Sequence, residues 1–240
     1  MKILFVSQHY RPEPFRLSDI CEDLVERGHE VTVLTGVPNY PEGKIYADYR
    51  DRQNRRETIE GVTVFRSYTI PRGKSTLHRI LNYFSFAISS SIGVLLGQYK
   101  AKDGSEFDCV FVNQSSPVMM AWAGMAYKNK YKKPLFLYCM DVWPDSLTVG
   151  GVKQDGLVFK LFKFISKKVY RASDYIFVTS PSFKNHFVKQ FDISEQKITY
   201  LPQYAEDLFI PDESIVNKES VDLTFAGNIG KAQNLETILK

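Results

Sequence analysis

The strongest constraint on the fold lies in the first thirty-six residues. Lys2 to Ser7 reads KILFVS, an apolar run with β-branched and aromatic members. A polar loop bearing two prolines follows, His9-Tyr10-Arg11-Pro12-Glu13-Pro14-Phe15-Arg16. A helical pattern then runs from Leu17 to Arg27, and Gly28 stops it ahead of a second apolar strand, Val31 to Thr35. Strand, loop, helix, glycine stop and strand make a βαβ unit. A first strand with no polar face is buried on both sides, which puts it in the middle of a parallel sheet covered by helices. Ligands of such sheets bind where strand C-termini open onto loops, so His9–Arg16 is expected to face the site.

The alternation continues along the chain. Further strands are expected at Gly61–Arg66, Phe107–Val112, Pro134–Met140, Asp174–Thr179 and Lys197–Pro202. Helices are expected at Val118–Asn129, at Leu157–Arg171 and up to Phe191. Ser18 or Asp19 is positioned to cap the first helix. The charged stretch Tyr46–Glu60 reads as a solvated excursion, with a basic lip for a phosphate-bearing substrate as the sharper alternative. Leu77–Tyr99 is apolar enough to suggest a membrane helix, but Asn82, the serines and two glycines favour a buried amphipathic helix, one that can leave an apolar face exposed. The sum is an α/β fold, a doubly wound, mostly parallel Rossmann-like sheet over residues 1–205. Residues 206–220 are polar and read as a linker. Residues 221–240 begin again, with a strand at Val221–Ala226, a turn at Gly227-Asn228-Ile229-Gly230, and a helix. That is the first βα unit of a second Rossmann-like domain.

Composition narrows the function classes. The 240 residues carry a formal net charge of +4. That is too little to argue for nucleic acid, and it is compatible with an anionic substrate or an anionic membrane surface. Cys21, Cys109 and Cys139 form no CxxC pair, and the last two lie in strand patterns, so buried free thiols and a reducing cytoplasm are expected. No stretch offers ~20 uninterrupted apolar residues for a span, and the start lacks a signal-peptide pattern. No His/Cys/Asp cluster has metal-ligand spacing, so no metal site is expected. Ser115 and Ser116 lack a nucleophile-elbow context.

Four loops leave strand C-termini with polar groups: His9–Arg16, Gly36–Tyr40, Asn113–Pro117 and Asp141–Ser146. Convergence of such loops makes an α/β cleft. Asp141 is the best single candidate. A carboxylate after an apolar strand, beside Trp143-Pro144, can orient a hydroxyl, act as base or hydrogen-bond a sugar. Its plain alternative is a helix N-cap, a role that suits Asp145 or Ser146 better. His9 reads equally as a cleft group or as a hydrogen-bonded loop histidine. Arg11 and Arg16 either bind phosphate or face water. His29 reads as structural, and His78 and His186 as surface groups. Gly227–Gly230 can bring backbone N–H groups to a phosphate, or is a plain turn. Lys160, Lys163, Lys167 and Arg171 form a basic stripe, with Leu161, Phe162, Ile165 and Val169 toward the other side and Phe159 and Phe164 flanking. The stripe is a solvated face or a membrane-surface helix.

The segments KILFVSQHYRPEPFR, LVERGHEVTVLTGVPNYP, NQSSP, YCMDVWPDS and FAGNIGKAQNLETIL resemble family 4 retaining glycosyltransferases, among them bacterial L-fucosamine transferase-type enzymes of surface polysaccharide synthesis. The resemblance implies a GT-B fold, in which two Rossmann-like domains flank the active cleft. The first receives the acceptor and the second holds a nucleotide-sugar donor, UDP-linked. It implies no metal and no cofactor beyond that substrate. By position it makes Asp141 and His9 catalytic candidates. Tyr10, Pro12, Arg16, Asn39, Tyr40, Asn113, Gln114, Ser115 and Trp143 become acceptor-side candidates, and Gly227, Asn228, Gly230 and Lys231 the donor-phosphate turn. The first loop has Glu13-Pro14-Phe15 where many relatives have a glycine pair, and the family's donor carboxylates lie beyond Lys240. The implied acceptor is a polyprenyl-diphosphate-linked saccharide at the inner face of the cell membrane. A sugar-nucleotide epimerase of the same fold, or a non-catalytic sugar- or nucleotide-binding module, remains open.

Overall fold

In the computed structural model of the chain, the described residues are 1–73, 75–205, 210, 224–227 and 234–237. The chain divides into two compact units, Met1–Pro202 and Gln203–Lys240. The first unit is built on one eight-stranded sheet, ordered β3-β4-β2-β1-β5-β6-β7-β8. Its strands are β1 (Lys2–Val6), β2 (Glu30–Thr35), β3 (Arg56–Ile59), β4 (Val62–Arg66), β5 (Cys109–Gln114), β6 (Leu135–Cys139), β7 (Tyr175–Val178) and β8 (Ile198–Tyr200). All neighbours are parallel except β3, which pairs antiparallel with β4. The chain starts at β1, works outward through β2 and β4, then returns to β5 and proceeds to the other edge. The strand order therefore reverses between β1 and β5, where open α/β sheets form their ligand crevice.

Strand β1 is central because it has nothing to offer water. Leu4, Phe5 and Val6 are buried, and Val6 sits in register with Leu34 on one side and Val112 on the other. Alternation divides the core into two. Leu4, Val6, Val110, Val112, Leu135 and Leu137 pack with residues from α2 (Thr76–Leu95), α3 (Trp122–Tyr131), α5 (Leu157–Ala172) and α6 (Pro181–Phe191). Ile3, Phe5, Val31, Val33, Val62 and Val64 pack with Leu17 and Cys21 of α1 (Leu17–Glu26). Each such side chain contributes about 1.5–3 kcal/mol when fully buried. The three cysteines are buried free thiols.

The structure departs from the expectations in a few places. Tyr46–Glu60 is not simply a solvated excursion, because it holds a 3-10 turn at Ala47–Arg52 and the edge strand β3. The sequence RETI hides that strand, since an edge strand needs only one covered side. Neither Ser18 nor Asp19 caps α1; Arg16 is the cap residue, no side chain makes a capping bond, and the Ser18 hydroxyl bonds back to the Phe15 carbonyl at 3.3 Å. A short helix, α4 (Ser146–Val149), follows β6. Helix α2 buries Asn82, which bonds Gln8 and the Ile70 carbonyl, while Leu77, Ile80, Leu81, Ile88, Ile92 and Leu95 are exposed. No helix among the described residues is long and apolar enough to cross a membrane.

In the second unit, Thr224–Ala226 have no regular structure, Gly227 lies in an exposed bend, and Leu235–Thr237 form one 3-10 turn. The strand expected over Val221–Ala226 is thus not formed in its described part. Asn228, Gly230 and Lys231 lie outside the described residues, as does the expected linker apart from Ile210.

Candidate functional site

The first two loops at the C-terminal edge of the sheet, after β1 and β2, share a buried cation that bonds the Arg11 and Gly36 carbonyls. Arg66, the last residue of β4, donates through Nη2 to Glu57 Oε1 and to the Arg11 carbonyl, both at 2.6 Å, and its guanidinium lies 4.6 Å from the Tyr49 ring centre. Gly36, after β2, donates to the Gln8 carbonyl at 3.1 Å. A Cβ at position 36 would sit 2.8 Å from that same oxygen, so the close approach of the two loops requires glycine. Each of four loops at this edge carries one cis X–Pro bond, at Arg11–Pro12, Tyr40–Pro41, Ser116–Pro117 and Trp143–Pro144.

Two polar constellations stand at this edge. In the first, the buried Glu13 carboxylate accepts from the backbone N–H groups of Asn39 at 2.8 Å and Tyr40 at 2.7 Å through Oε1. Its Oε2 faces His9 Nδ1 at 2.9 Å. Phe15 stacks on the imidazole with centroids 4.6 Å apart and planes 9° apart.

In the second, Asp141 Oδ2 accepts from the Ser116 hydroxyl and, at 3.2 Å, from Trp143 Nε1, which also reaches Ser116 Oγ at 2.8 Å. Asp141 Oδ1 makes no hydrogen bond among the described residues, and Asp141 is half-buried. Trp143 is buried between Tyr83 of α2 and Phe162 of α5, edge-to-face with both. The Tyr170 hydroxyl grips the Trp143 backbone, accepting from its N–H at 3.0 Å and bonding its carbonyl at 3.2 Å. Burial raises the Tyr170 phenol well above its ordinary value, so it stays a neutral donor. Gln114 Nε2 holds the loop by donating to the Asp141 carbonyl at 2.8 Å and the Ser115 carbonyl at 2.6 Å. Asp141 is therefore a carboxylate with one oxygen pinned and one open, on a rigid loop.

The remaining candidates divide. Pro12 is exposed on the first loop, and Tyr40 and Ser115 are half-buried at the edge. Tyr10 does not fit acceptor contact, because its ring has 0% exposure in the α1-side core. Arg11 is not free for phosphate, since Nε meets Glu22 at 2.6 Å. Arg16 is exposed and also engaged in a contact. Asn39 is buried and bonds the Val37 carbonyl and the Arg72 N–H, so it shapes its own loop. Asn113 and Gln114 are buried as well, and Gln114 Oε1 has no partner among the described residues. Asp145 makes no cap bond; its carboxylate meets His186 Nε2 at 3.2 Å, so His186 is not an isolated surface group. His29 lies at the opposite edge, against the amino terminus. No group of described residues could hold a metal ion.

The basic stripe of α5 is partly engaged. Lys160 is exposed and Lys167 half-buried, but Lys163 bonds Gln190 at 3.1 Å and Arg171 pairs with Asp192 at 2.7 Å. Leu161, expected toward the core, is exposed together with Leu157, Val158 and Phe164, while Phe159 is buried. Sequence reasoning passed over Glu13, Ser116 and Arg66. Nothing local in the sequence marks the three: His9 and Glu13 lie in a loop, where a four-residue spacing does not by itself bring side chains together.

The profile of a family described as glycosyl transferase 4-like domain matches residues 15–203. A relative from Escherichia coli (strain K12), named as a colanic acid biosynthesis glycosyl transferase, WcaI, is 27% identical over 267 residues. The match covers 100% of this chain and 62% of the relative, so the chain spans about three fifths of that protein's length. Among solved structures, Anabaena Alr3699/HepE in complex with UDP and glucose is similar with a TM-score of 0.51 and 13% identity, over 89% of this chain and 48% of that one. Phytolacca americana UGT2, complexed with UDP-2fluoro-glucose and pterostilbene, gives a TM-score of 0.50 and 13% identity over 83% and 53%. Both likenesses are of fold.

Proposed function

This chain belongs to the glycosyl transferase 4-like family, and from that premise we propose that it forms the acceptor side of a retaining glycosyltransferase. The donor is a nucleotide sugar, UDP-linked. The acceptor is a polyprenyl-diphosphate-linked saccharide of surface polysaccharide synthesis. The observation that carries the reading is Asp141, whose pinned Oδ2 and open Oδ1 suit it to orient a saccharide hydroxyl beside the point where strand order reverses. The UDP and glucose of the HepE structure support the donor class, and the name of the WcaI relative supports the pathway class. The donor-phosphate role of Gly227, Asn228, Gly230 and Lys231 is part of the same proposal.

We place this reaction at the inner face of the cell membrane. Helices α2 and α5 lie on one side of the sheet, each packed against α3 or the turn that leads into it. Neither carries an Asp or a Glu, and both expose leucine, isoleucine or phenylalanine outward. Apolar surface with lysines and no acidic residues suits an anionic lipid surface.

The test is sugar transfer by the full-length gene product from a panel of UDP-sugars to a water-soluble polyprenyl-diphosphate monosaccharide. Transfer that fails with Asp141→Asn supports the proposal. Conversion of the UDP-sugar without any acceptor would instead favour the epimerase reading.

A further inference from the structure

We propose that Glu13 is a positioning residue, which fixes His9 as its Nδ1–H tautomer and leaves Nε2 to accept a hydrogen bond from a hydroxyl of the bound saccharide. The saccharide part rests on the acceptor-side reading given above. The tautomer part stands on geometry alone.

Glu13 lies at 3% exposure, four residues after His9 on the loop that leaves the central strand. Its two oxygens have separate duties. Oε1 accepts two backbone N–H groups, from Asn39 and Tyr40, which pins the loop after β2. Oε2 is left for His9 Nδ1 at 2.9 Å. A carboxylate has no proton to give, so Nδ1 must be the donor. A neutral imidazole with a proton on Nδ1 carries its lone pair on Nε2. The ring is held in place by Phe15 stacked on one face and Tyr40 tilted against it at 5.8 Å. Nε2 makes no hydrogen bond among the described residues and is not among the atoms sealed from solvent without a partner. The arrangement presents one oriented acceptor at the C-terminal edge of β1, beside the reversal of strand order. His9 transfers no proton in this role.

Glu13→Gln separates the two duties. A glutamine has only one acceptor oxygen, and two backbone N–H groups compete for it with His9. Satisfying both backbone donors turns the side-chain NH₂ toward Nδ1, which must then accept. The loop stays tied, but His9 switches to Nε2–H and loses its outward acceptor. The experiment is ¹⁵N NMR of the histidine rings of this chain at about pH 8, above the ordinary histidine range, with His9 identified by His9→Gln. Wild type is expected to show an unprotonated Nε2 at His9, and Glu13→Gln an unprotonated Nδ1. Affinity for the polyprenyl-diphosphate monosaccharide is expected to fall about tenfold in His9→Phe, which removes Nε2 and with it one hydrogen bond's worth of binding, whereas Glu13→Gln reverses that bond, since a hydroxyl also accepts from Nε2–H. A wild-type His9 protonated on Nε2 overturns the proposal even if the variant fails to fold. An unchanged tautomer in a folded variant overturns it too. Unchanged affinity in a folded His9→Phe variant overturns the saccharide contact, and absence of saccharide binding to wild type overturns the underlying reading while leaving the tautomer result intact.

Discussion

Arg66 donates to Glu57 at 2.6 Å from a side chain with 0% exposure, and the same guanidinium reaches the Arg11 carbonyl of the first loop. Glu57 is the anion that neutralises this buried charge, and the Arg11 carbonyl and the Tyr49 ring offer it only dipoles. Glu57→Ala strands the cation, at a cost of about 2–4 kcal/mol, toward the lower part of the range for broken buried pairs because Glu57 is partly exposed. Urea unfolding should show a midpoint shift of that size. An unchanged midpoint would mean that the cation relaxes to water.

Membrane docking rests on the exposed apolar side chains of α2 and α5 and on the lysines of α5. Charge reversal at Lys160, Lys163 and Lys167 should weaken sedimentation with anionic vesicles. Ile88→Asp on α2 should weaken it independently, because that side chain is exposed and apolar. Sedimentation unaffected by both sets of changes contradicts membrane docking. Dimer formation abolished by Ile88→Asp would show that a second copy covers this face.

Acid stability should depend on Asp174. Burial pushes its carboxyl up, but the Leu135 N–H at 2.8 Å and the Lys128 ammonium at 2.6 Å outweigh that and hold it below the usual range. A depressed folded value contributes stability that is present above the unfolded value near ~3.9 and is lost as pH falls through the folded one. Asp174→Asn should therefore lose about 1 kcal/mol at neutral pH, discounted for exposure, and its stability should fall less steeply below pH ~4. A variant that tracks the wild type through that window refutes the assignment.

The thiols should be inert until the chain opens. Burial, helped by the neighbouring Asp108, pushes the Cys109 thiol up to about 11. Cys21 and Cys139 are raised as well, also by burial. Because the thiolate is the reactive form, labelling by a disulfide reagent at pH ~8 should be slow in the native state and complete in urea. Rapid labelling of any one cysteine would place it outside the core described here.

Much of the fold was legible because it rests on burial. Leu4 to Val6 had no polar face, so their place at the centre of the sheet followed from sequence, and the glycine stop at Gly28, at a φ of +82°, marked the end of α1. Strand β3 was not legible, since an edge strand with Arg56 and Thr58 exposed carries little pattern. The candidate site was legible at the level of loops, not of side chains. Asp141 and Trp143 could be chosen from strand ends, but Tyr10 and Asn39 looked identical in sequence to cleft residues and are held inward by contacts from other segments. Glu13 was hidden for the same reason: two of its three partners lie twenty-six and twenty-seven residues away.

The most direct test is calorimetric titration of this 240-residue chain with two ligands, the polyprenyl-diphosphate monosaccharide and a UDP-sugar. Binding of the saccharide by the wild type, reduced at least tenfold by Asp141→Asn, together with no tight UDP-sugar binding, is the predicted result. Tight binding of the UDP-sugar with none of the saccharide would contradict the account, because it would put the donor site where the acceptor is placed here.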